Sequence, residues 1–152
     1  MQHERLRRFL VKAKRNTYAS GNNTVKLDDG SEEFVYENGI YKYRDRYFGN
    51  DPFIGQEVVF ENQVPIWGMN YVGGISDPNV DSGRLYEFLR QALKRVNEQE
   101  PFRGPDWYDN GEFTYWNSVI GQESNFFIGR ENISLGFREI YECIYHGGLI
   151  KK

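Results

Sequence analysis

The sequence predicts an α+β fold, in which two helices pack on a curved, mostly antiparallel sheet of about seven strands that approaches a barrel. Three observations lead to this prediction. Apolar residues recur at helical spacing around Leu6 and again around Leu85. An Asn38-Gly39 pair separates two β-rich runs, as expected for a hairpin. The last third of the chain holds three β-rich runs separated by turn residues, which is typical of a meander.

The 152 residues fit a single domain, residues 1–152. The one cysteine, Cys143, excludes an internal disulfide and a cysteine-rich zinc site, and the chain has only two histidines, so we predict no metal and no cofactor. No apolar leader follows the N-terminus, so we expect a cytoplasmic protein. The formal net charge of -3 and the lack of an apolar run of about 18 residues argue against nucleic-acid and membrane partners.

The first helix is predicted from Glu4 to Asn16. One face of this helix is basic, and we interpret it as solvated. The other face is apolar and holds Leu6, Phe9, Leu10 and Ala13. The next segment, residues 17–31, has no regular pattern, so it is predicted to be a long loop anchored by Tyr18.

A hairpin is predicted over residues 34–48, with Asn38-Gly39 as a type I′ turn that pairs Tyr36 with Tyr41. The inward face of this hairpin carries a row of aromatic side chains, and Asp45 lies in that row. Two interpretations of Asp45 stay open. It is either a core carboxylate that accepts hydrogen bonds from tyrosines or a recessed acid that faces a pocket.

A second hairpin, residues 54–74, is the stretch around which the chain is organised, with strands predicted over residues 56–60 and 64–72. The second of these strands is apolar on both faces. We therefore expect helices to cover one face and a second layer or a ligand to cover the other. Glu57 and Asn70 lie within the hairpin, and buried polar groups of this kind are either satisfied structural groups or polar contacts in a pocket.

The second helix is predicted from Asp81 or Ser82 to about Val96, with one apolar stripe that covers the sheet. The segment after it, residues 97–112, is irregular, and two prolines stiffen its centre. Such a loop is either part of a binding site or a cap on the core.

The C-terminal meander is predicted to have three strands: residues 113–120, 125–133 and 137–146. With a turn at Leu135-Gly136, Cys143 and Tyr145 share a face with Ile128. Cys143 and His146 then point to opposite faces of one strand, so a Cys-His nucleophile is not predicted.

Four segments resemble a bacterial domain family of unknown function: residues 14–19 (KRNTYA), 67–71 (WGMNY), 101–105 (PFRGP) and 141–148 (YECIYHGG). Members of that family occur as stand-alone proteins and as the C-terminal domain of some helix-turn-helix transcriptional regulators. The resemblance spans nearly the whole chain. It implies no established activity, but a domain attached to a DNA-binding unit is often a sensor for a small molecule.

The predicted function is the binding of a small, partly planar or polar molecule in an aromatic-lined pocket, between the sheet and the stiff loop after the second helix. Six residues are predicted to form the site: Glu57, Trp67, Asn70, Tyr71, Arg103 and Trp107. The three aromatic residues are expected to stack on the ligand. Glu57 and Asn70 are expected to orient the ligand by hydrogen bonds, and Arg103 to meet an anionic group.

Two other function classes stay open. A cofactor-free hydrolase or lyase would use Glu57, with Asp45 or Asp106 as a second carboxylate. An interaction protein without a ligand would instead present its aromatic residues to a protein partner. The sequence identifies neither the ligand, nor a catalytic residue, nor the oligomeric state, and it leaves open whether the aromatic cluster is core or pocket wall.

Overall fold

The structure, a computed structural model, describes residues 2–21, 23–121 and 125–151. The described residues form two α-helices, α1 (Gln2–Asn16) and α2 (Ser82–Leu93), one turn of 3₁₀ helix (Tyr18–Ser20) and nine strands. The strands are β1 (Val25–Lys26), β2 (Glu32–Asn38), β3 (Tyr41–Phe48), β4 (Phe53–Glu61), β5 (Val64–Ile75), β6 (Trp107–Asp109), β7 (Phe113–Ile120), β8 (Phe126–Leu135) and β9 (Arg138–Leu149). They make one antiparallel sheet in the order β1-β2-β3-β4-β5-β9-β8-β7-β6.

The α+β class is confirmed, but the prediction of about seven strands approaching a barrel is wrong. The described sheet has nine strands, and it is open, with β1 and β6 at its edges. These edge strands have two and three residues. Strands of that length are too short to show an alternating pattern in the sequence. The meander β1 to β5 and the meander β6 to β9 lie side by side, because β5 pairs with β9 at the centre.

Both helices pack on the same face of the sheet and enclose the core. Leu10 of α1 and Leu85 of α2 are buried against inward-facing residues of the strands, among them Met69 of β5. The N-terminus of α2 is capped by Asp81, whose side chain accepts a hydrogen bond from the backbone N–H of Arg84 at 3.1 Å. Neither described helix has the length and apolar composition that a membrane crossing requires.

The other face of the sheet is open, which overturns the expectation that β5 is covered on both sides. Along β5 the buried residues Met69 and Tyr71 alternate with the exposed residues Asn70 and Val72. Val72 lies beside Ile54 of β4 and Ile144 of β9 on this outer face, and all three are exposed. Because β5 has apolar residues on its exposed outer face, its sequence resembles that of a strand buried on both sides.

The first hairpin is confirmed, but its turn is displaced by one residue. Asn38 pairs with Tyr41, so Gly39 and Ile40 form the turn, and Tyr36 pairs with Tyr43 rather than with Tyr41. Gly39 has φ 62°, which is the left-handed region that a type II′ turn requires at its first central position. The displacement changes the pairing register by two residues, so the aromatic face still points inward as predicted.

In the C-terminal meander Cys143 and Tyr145 share a face as predicted, but the prediction that Ile128 lies on that face is wrong. The turn at Gly136 and a register shift between Ile133 and Ser134 place Tyr145 opposite Gly129, not opposite Phe126. Because side chains alternate along a strand, this odd displacement brings Tyr145 onto the buried face and leaves Ile128 exposed.

The chain also repeats itself, and the sequence carries this repeat in three places. Residues 5–13 (RLRRFLVKA) recur as residues 84–92 (RLYEFLRQA), residues 53–57 (FIGQE) as residues 127–131 (FIGRE), and residues 71–74 (YVGG) as residues 145–148 (YHGG). The first half thus comprises α1 and β1 to β5, and the second half comprises α2 and β6 to β9.

The packing of the two halves matches this repeat. Phe9 of α1 lies 5.1 Å from the ring centre of Tyr41, and Phe88 of α2 lies 5.3 Å from that of Phe113, its equivalent in the second half. The β4–β5 pair shifts register after Val59, and the β8–β9 pair shifts register at the equivalent Ile133. The halves are therefore related by a pseudo-twofold axis at the centre of the sheet, where Tyr71 and Tyr145 pair directly.

Candidate functional site

Five charged side chains are buried among the described residues, and they form one polar layer between the sheet and the helices: Lys14, Asp45, Glu57, Arg103 and Glu131. Four of them form two ion pairs. Lys14 Nζ lies 2.5 Å from Glu57 Oε2, and Arg103 Nη2 lies 2.6 Å from Glu131 Oε1. Asp45 forms no ion pair with another described residue, so it is the one charged side chain of the layer that is left unpaired.

Lys14 reaches this layer from the last turn of α1. Its ammonium group also donates to the backbone carbonyl of Phe102, at 2.5 Å. Burial lowers the pKa of Lys14, and the neighbouring Glu57 carboxylate opposes that shift. Lys14 therefore ties α1 both to β4 of its own half and to the loop that follows α2 in the other half.

The polar layer of the second half is closed. Glu131 receives hydrogen bonds from Tyr115 at 2.5 Å and Tyr141 at 2.9 Å in addition to its pair with Arg103. Asn117, the residue opposite Glu131 on β7, donates from its side chain to the carbonyl of Gly104 at 3.1 Å. The loop of residues 101–105 thus covers this half of the sheet.

Asp45 and Asn117 occupy equivalent positions in the two halves. Tyr71 donates from its hydroxyl to Asp45 Oδ1 at 2.6 Å, and Tyr145 donates to Asn117 Oδ1 at 2.7 Å. To reach its partner, Tyr71 crosses β4 above Gly55, and Tyr145 crosses β8 above Gly129. A Cβ on that glycine would lie 2.3 Å from the Tyr71 hydroxyl or 2.0 Å from the Tyr145 ring. Only glycine, which has no Cβ, leaves room at this repeated position for the tyrosine side chain to cross the strand.

Asp45 lies beside an open cavity of about 560 Å³, and the equivalent Asn117 does not line this cavity. Its walls come from the 3₁₀ turn and the residues after it, β2, β3, the β3–β4 connection, β4, β5, α2 and the loop after α2. Asp45, Tyr71 and Arg103 lie at its inner end, and exposed residues such as Asn50 and Ser82 lie at its rim. A cavity of this volume is in the range of sites that hold small molecules.

The surroundings of Asp45 favour its protonated form. Burial and the neighbouring Glu57 carboxylate raise the pKa of Asp45 to about 7, against the opposing effects of the Tyr71 hydroxyl, Lys14 and Arg103. Asp45 thus changes charge near neutral pH at the end of a cavity. A carboxyl group of this kind can bind a ligand's donor or acceptor, and it can accept or release a proton.

Two further residues of the cavity wall have unused polar atoms. The hydroxyl of Tyr18 and Nε of Arg103 are buried and have no hydrogen-bond partner among the described residues. Below them, the hydroxyl of Tyr43 and Oε1 of Glu57 are also unpartnered, whereas the equivalent Tyr115 and Glu131 are bonded to each other. Buried polar atoms are normally satisfied, and four of the six exceptions among the described residues lie in or beneath the cavity; the other two are Arg44 Nε and Asn132 Oδ1.

The structure brings together two of the six predicted site residues at the cavity, Tyr71 and Arg103. Glu57 lies behind the cavity and is fully enclosed by its pair with Lys14. Trp67 is in the core, where its ring stacks with Phe102 at 6.4 Å.

The other two predicted residues lie away from the cavity. Asn70 is on the outer face, where Gln56 donates to its side chain at 3.0 Å. Trp107 is 54% exposed in β6 and meets Trp116 edge-on. The expected stack of Trp67, Tyr71 and Trp107 around one ligand is therefore not assembled.

Other groups offer less for catalysis. Burial raises the pKa of the Cys143 thiol to about 12, and His146 lies on the opposite face of β9. Among the described residues, no three His, Cys, Asp or Glu side chains are grouped as a metal site would need. Asp45 is the carboxyl group of the cavity wall whose pKa lies near neutral pH.

Residues 45–150 match the DUF5680 family, a domain of unknown function. The chain belongs to the DUF5680 family. No curated protein and no solved structure matches the chain. The family match covers the strands from Asp45 to β9 together with α2. Lys14 and Tyr18, which complete the polar layer and the cavity wall, lie outside the part of the chain that matches DUF5680.

Asp45 is the main residue that the sequence-based site left out, although its two interpretations were both considered. The structure combines them, because Asp45 accepts a hydrogen bond from a core tyrosine and also faces the cavity. The repeat of FIGQE as FIGRE was the available sequence feature. The repeat equates Glu57 with Glu131, and the strand partners of these two glutamates are Asp45 and Asn117, which differ in charge.

Proposed function

We propose that this DUF5680 domain binds a small organic molecule in the cavity beside Asp45. The observation that carries this proposal is the contrast between the two halves. At the position where the second half is closed by Asn117 and the 101–105 loop, the first half has an ionisable Asp45 and an open cavity. Tyr18 and Arg103 contribute unused polar atoms to the same space.

The composition of the wall suits a ligand with both apolar and polar parts. Phe34 and Tyr47 stack at 6.2 Å between ring centres, and Phe53 meets Tyr71 edge-on at 5.9 Å. These rings line the cavity together with Leu89 and other apolar residues of α2. Binding sites of this type use apolar walls for affinity and a few polar groups for orientation.

The resemblance to domains attached to helix-turn-helix regulators supports the role of a bacterial, cytoplasmic sensor. The cavity also suits coupling, since its wall combines β3 and β5 of the first half with α2 of the second. A bound ligand would contact both halves at once, so it would stabilise their relative packing.

A catalytic role is the second candidate, and the pKa of Asp45 near 7 favours it. In that role Asp45, rather than the enclosed Glu57, would transfer a proton to or from a bound substrate. A turnover that is lost in Asp45→Asn, but retained in a variant of an exposed carboxylate such as Asp28→Asn, would support this candidate.

The binding proposal is tested by blocking the cavity from its rim. Ser82→Trp places a large ring at an exposed position of the cavity wall, and Ser76→Trp makes the same change at an exposed residue outside it. Thermal-shift screening against metabolites is expected to give compounds that stabilise wild type and Ser76→Trp in proportion to concentration, but not Ser82→Trp. Compounds that stabilise all three proteins equally would show that binding occurs elsewhere and would contradict the proposal.

A further inference from the structure

The charge of the cavity wall is unbalanced, because its cations are already paired and its carboxylates are not. Arg103 is bound to Glu131, and Arg90 Nη2 lies 2.7 Å from Glu87 Oε2. Neither of these acidic partners lines the cavity. Each arginine is therefore neutralised from outside the cavity, and the positive charge it presents to a ligand is reduced.

The two carboxylates of the wall are held only by neutral donors among the described residues. Asp45 accepts from the Tyr71 hydroxyl, and Asp51 accepts from the backbone N–H of Ile75 at 2.7 Å and the hydroxyl of Tyr86 at 3.0 Å. No described cation lies within ion-pair distance of either group. The uncompensated charge of the cavity is thus negative at both its inner end and its rim.

The aromatic residues of the wall add to this preference. Phe34, Tyr47, Phe53, Tyr71 and Tyr86 all line the cavity. The faces of aromatic rings carry partial negative charge and attract cations, and this attraction is strengthened where water is excluded. Carboxylates between aromatic rings form an environment that recognises ammonium groups.

We infer that the ligand is an organic cation, whose protonated amine lies against Asp45 while its apolar part packs on the aromatic wall. This inference rests on the proposed function, since it names the class of ligand for the same cavity. It gives the charged contact to Asp45 instead of Arg103, which the sequence analysis expected to meet an anionic group, because Arg103 already pairs with Glu131.

The inference has a pH dependence with a definite sign. An ammonium group binds ionised Asp45, whose pKa in the free protein is about 7. Affinity for an amine is therefore expected to rise about tenfold between roughly pH 6 and pH 8. The charged and titratable groups around Asp45, from every element packed against it, are Lys14, Tyr18, Tyr43, Tyr47, Glu57, Tyr71 and Arg103.

The test compares three probes that share a phenyl group and differ in charge: 2-phenylethylamine, 2-phenylethanol and 3-phenylpropanoate. Their affinities are measured by titration of the ¹⁵N-labelled protein, with amide shifts of residues along the cavity wall as the readout. Wild type is expected to bind the amine at least tenfold more tightly than the alcohol and the carboxylate, because a charge-assisted hydrogen bond is made only by the amine.

Asp45→Asn is the decisive variant, and it is expected to fold because the second half already uses Asn117 at this position. Its affinity for the amine is expected to fall about tenfold, to the level of the alcohol, and to lose its pH dependence. Asp28→Asn, an exposed residue outside the cavity wall, makes the same change in net charge and is expected to bind as wild type does.

The outcomes separate this inference from the proposed function. If the alcohol or the carboxylate binds at the cavity as tightly as the amine, or Asp45→Asn retains the preference for the amine, the organic-cation inference is overturned and the binding site stands. If none of the three probes shifts the amides of the cavity wall, the organic-cation inference is overturned, whereas the proposed function falls only if the Ser82→Trp comparison also fails.

Discussion

Asp45 and Asn117 show how one residue changes the chemistry of a repeated position. Both accept a hydrogen bond from a tyrosine that crosses the neighbouring strand, at 2.6 Å and 2.7 Å. Asn117 is neutral and uses its amide to hold the covering loop, whereas Asp45 has no amide and leaves the same position open to the cavity. One difference between the closed position and the open position is thus a single residue, Asn117 in the second half and Asp45 in the first.

We predict that Asp45 makes stability fall as pH rises. Its folded pKa is about 7 and its ordinary value is 3.8, so between these values the folded protein holds a proton that the unfolded chain has lost. The unfolding free energy of wild type is expected to fall by roughly 2–3 kcal/mol, relative to Asp45→Asn, from about pH 5 to about pH 8. Urea denaturation of both proteins at the two pH values measures this difference. Equal pH dependence of wild type and Asp45→Asn would contradict the assignment.

The buried pair of Lys14 and Glu57 gives a second prediction. Lys14→Met leaves Glu57 as an unpaired buried carboxylate and is expected to lower the unfolding free energy by about 3–5 kcal/mol. The double variant with Glu57→Leu removes the stranded charge and is expected to recover much of that loss. The exposed pair of Arg84 and Glu112 provides the control, since Arg84→Met is expected to have a much smaller effect. Additive losses in the double variant would show that the two side chains do not act as a pair.

At the scale of strands, the repeated glycines set the reach of Tyr71 and Tyr145. Gly55→Ala and Gly129→Ala are both expected to destabilise the fold by roughly 1–3 kcal/mol, because the new methyl group collides with the tyrosine ring. Gly129→Ala is expected to cost more, since the enclosed Tyr145 has no cavity into which it can move. Chemical denaturation measures the order.

Gly68→Ala is the control for this pair. Its Cβ would meet the nearest backbone atom at 3.5 Å, an ordinary contact, so its effect is expected to be smaller. A larger loss for Gly68→Ala than for Gly129→Ala would contradict the explanation based on the tyrosines.

An error in strand register changes the predicted faces only when it is an odd number of residues, and this explains which faces could be predicted from the sequence. The first hairpin was displaced by an even number of positions, so the inward aromatic row from Phe34 to Tyr47 was predicted correctly. In the last hairpin the register shift after Ile133 made the displacement odd, so the predicted grouping of Tyr145 with Ile128 on one face was wrong. The alternating pattern of β9 is apolar on both faces and gives no means to detect such a shift.

The predicted site was limited in the same way, because a strand's sequence does not show which of its faces is covered. Tyr71 was predicted as a stacking residue and Arg103 as a cation on the stiff loop, and both belong to the polar layer or its hydrogen bonds. Glu57 stood out as a polar group within an apolar hairpin, and it belongs to the same layer. Asn70 stood out for the same reason but points to the outer face. Which face of a strand is covered depends on the distant helices, and this information is absent from the strand itself.

At the scale of the molecule, the two repeated halves share one core. Trp67 of the first half packs against the stacked pair of Phe102 and Phe127 of the second, and Lys14 donates to the carbonyl of Phe102. β5 and β9 also pair over nine positions from Trp67 to Ile75. The halves are therefore expected to be unable to unfold independently.

We accordingly predict a single cooperative unfolding transition. Far-ultraviolet circular dichroism and tryptophan fluorescence are expected to give the same midpoint in urea. Two variants that each retain one tryptophan allow the two regions to be followed separately. One retains Trp67 at the junction, and the other retains Trp116 in the second half. Different midpoints for these two reporters would show that the halves unfold separately.

The central claim, that the open half of this duplicated domain is a ligand-binding site, is tested most directly by crystallographic fragment screening. We expect bound fragments to concentrate in the cavity, with a polar group within hydrogen-bond distance of Asp45, and to avoid the equivalent region around Asn117. Fragments bound only on the outer face of the sheet, or a cavity found to be filled by its own side chains, would contradict the claim.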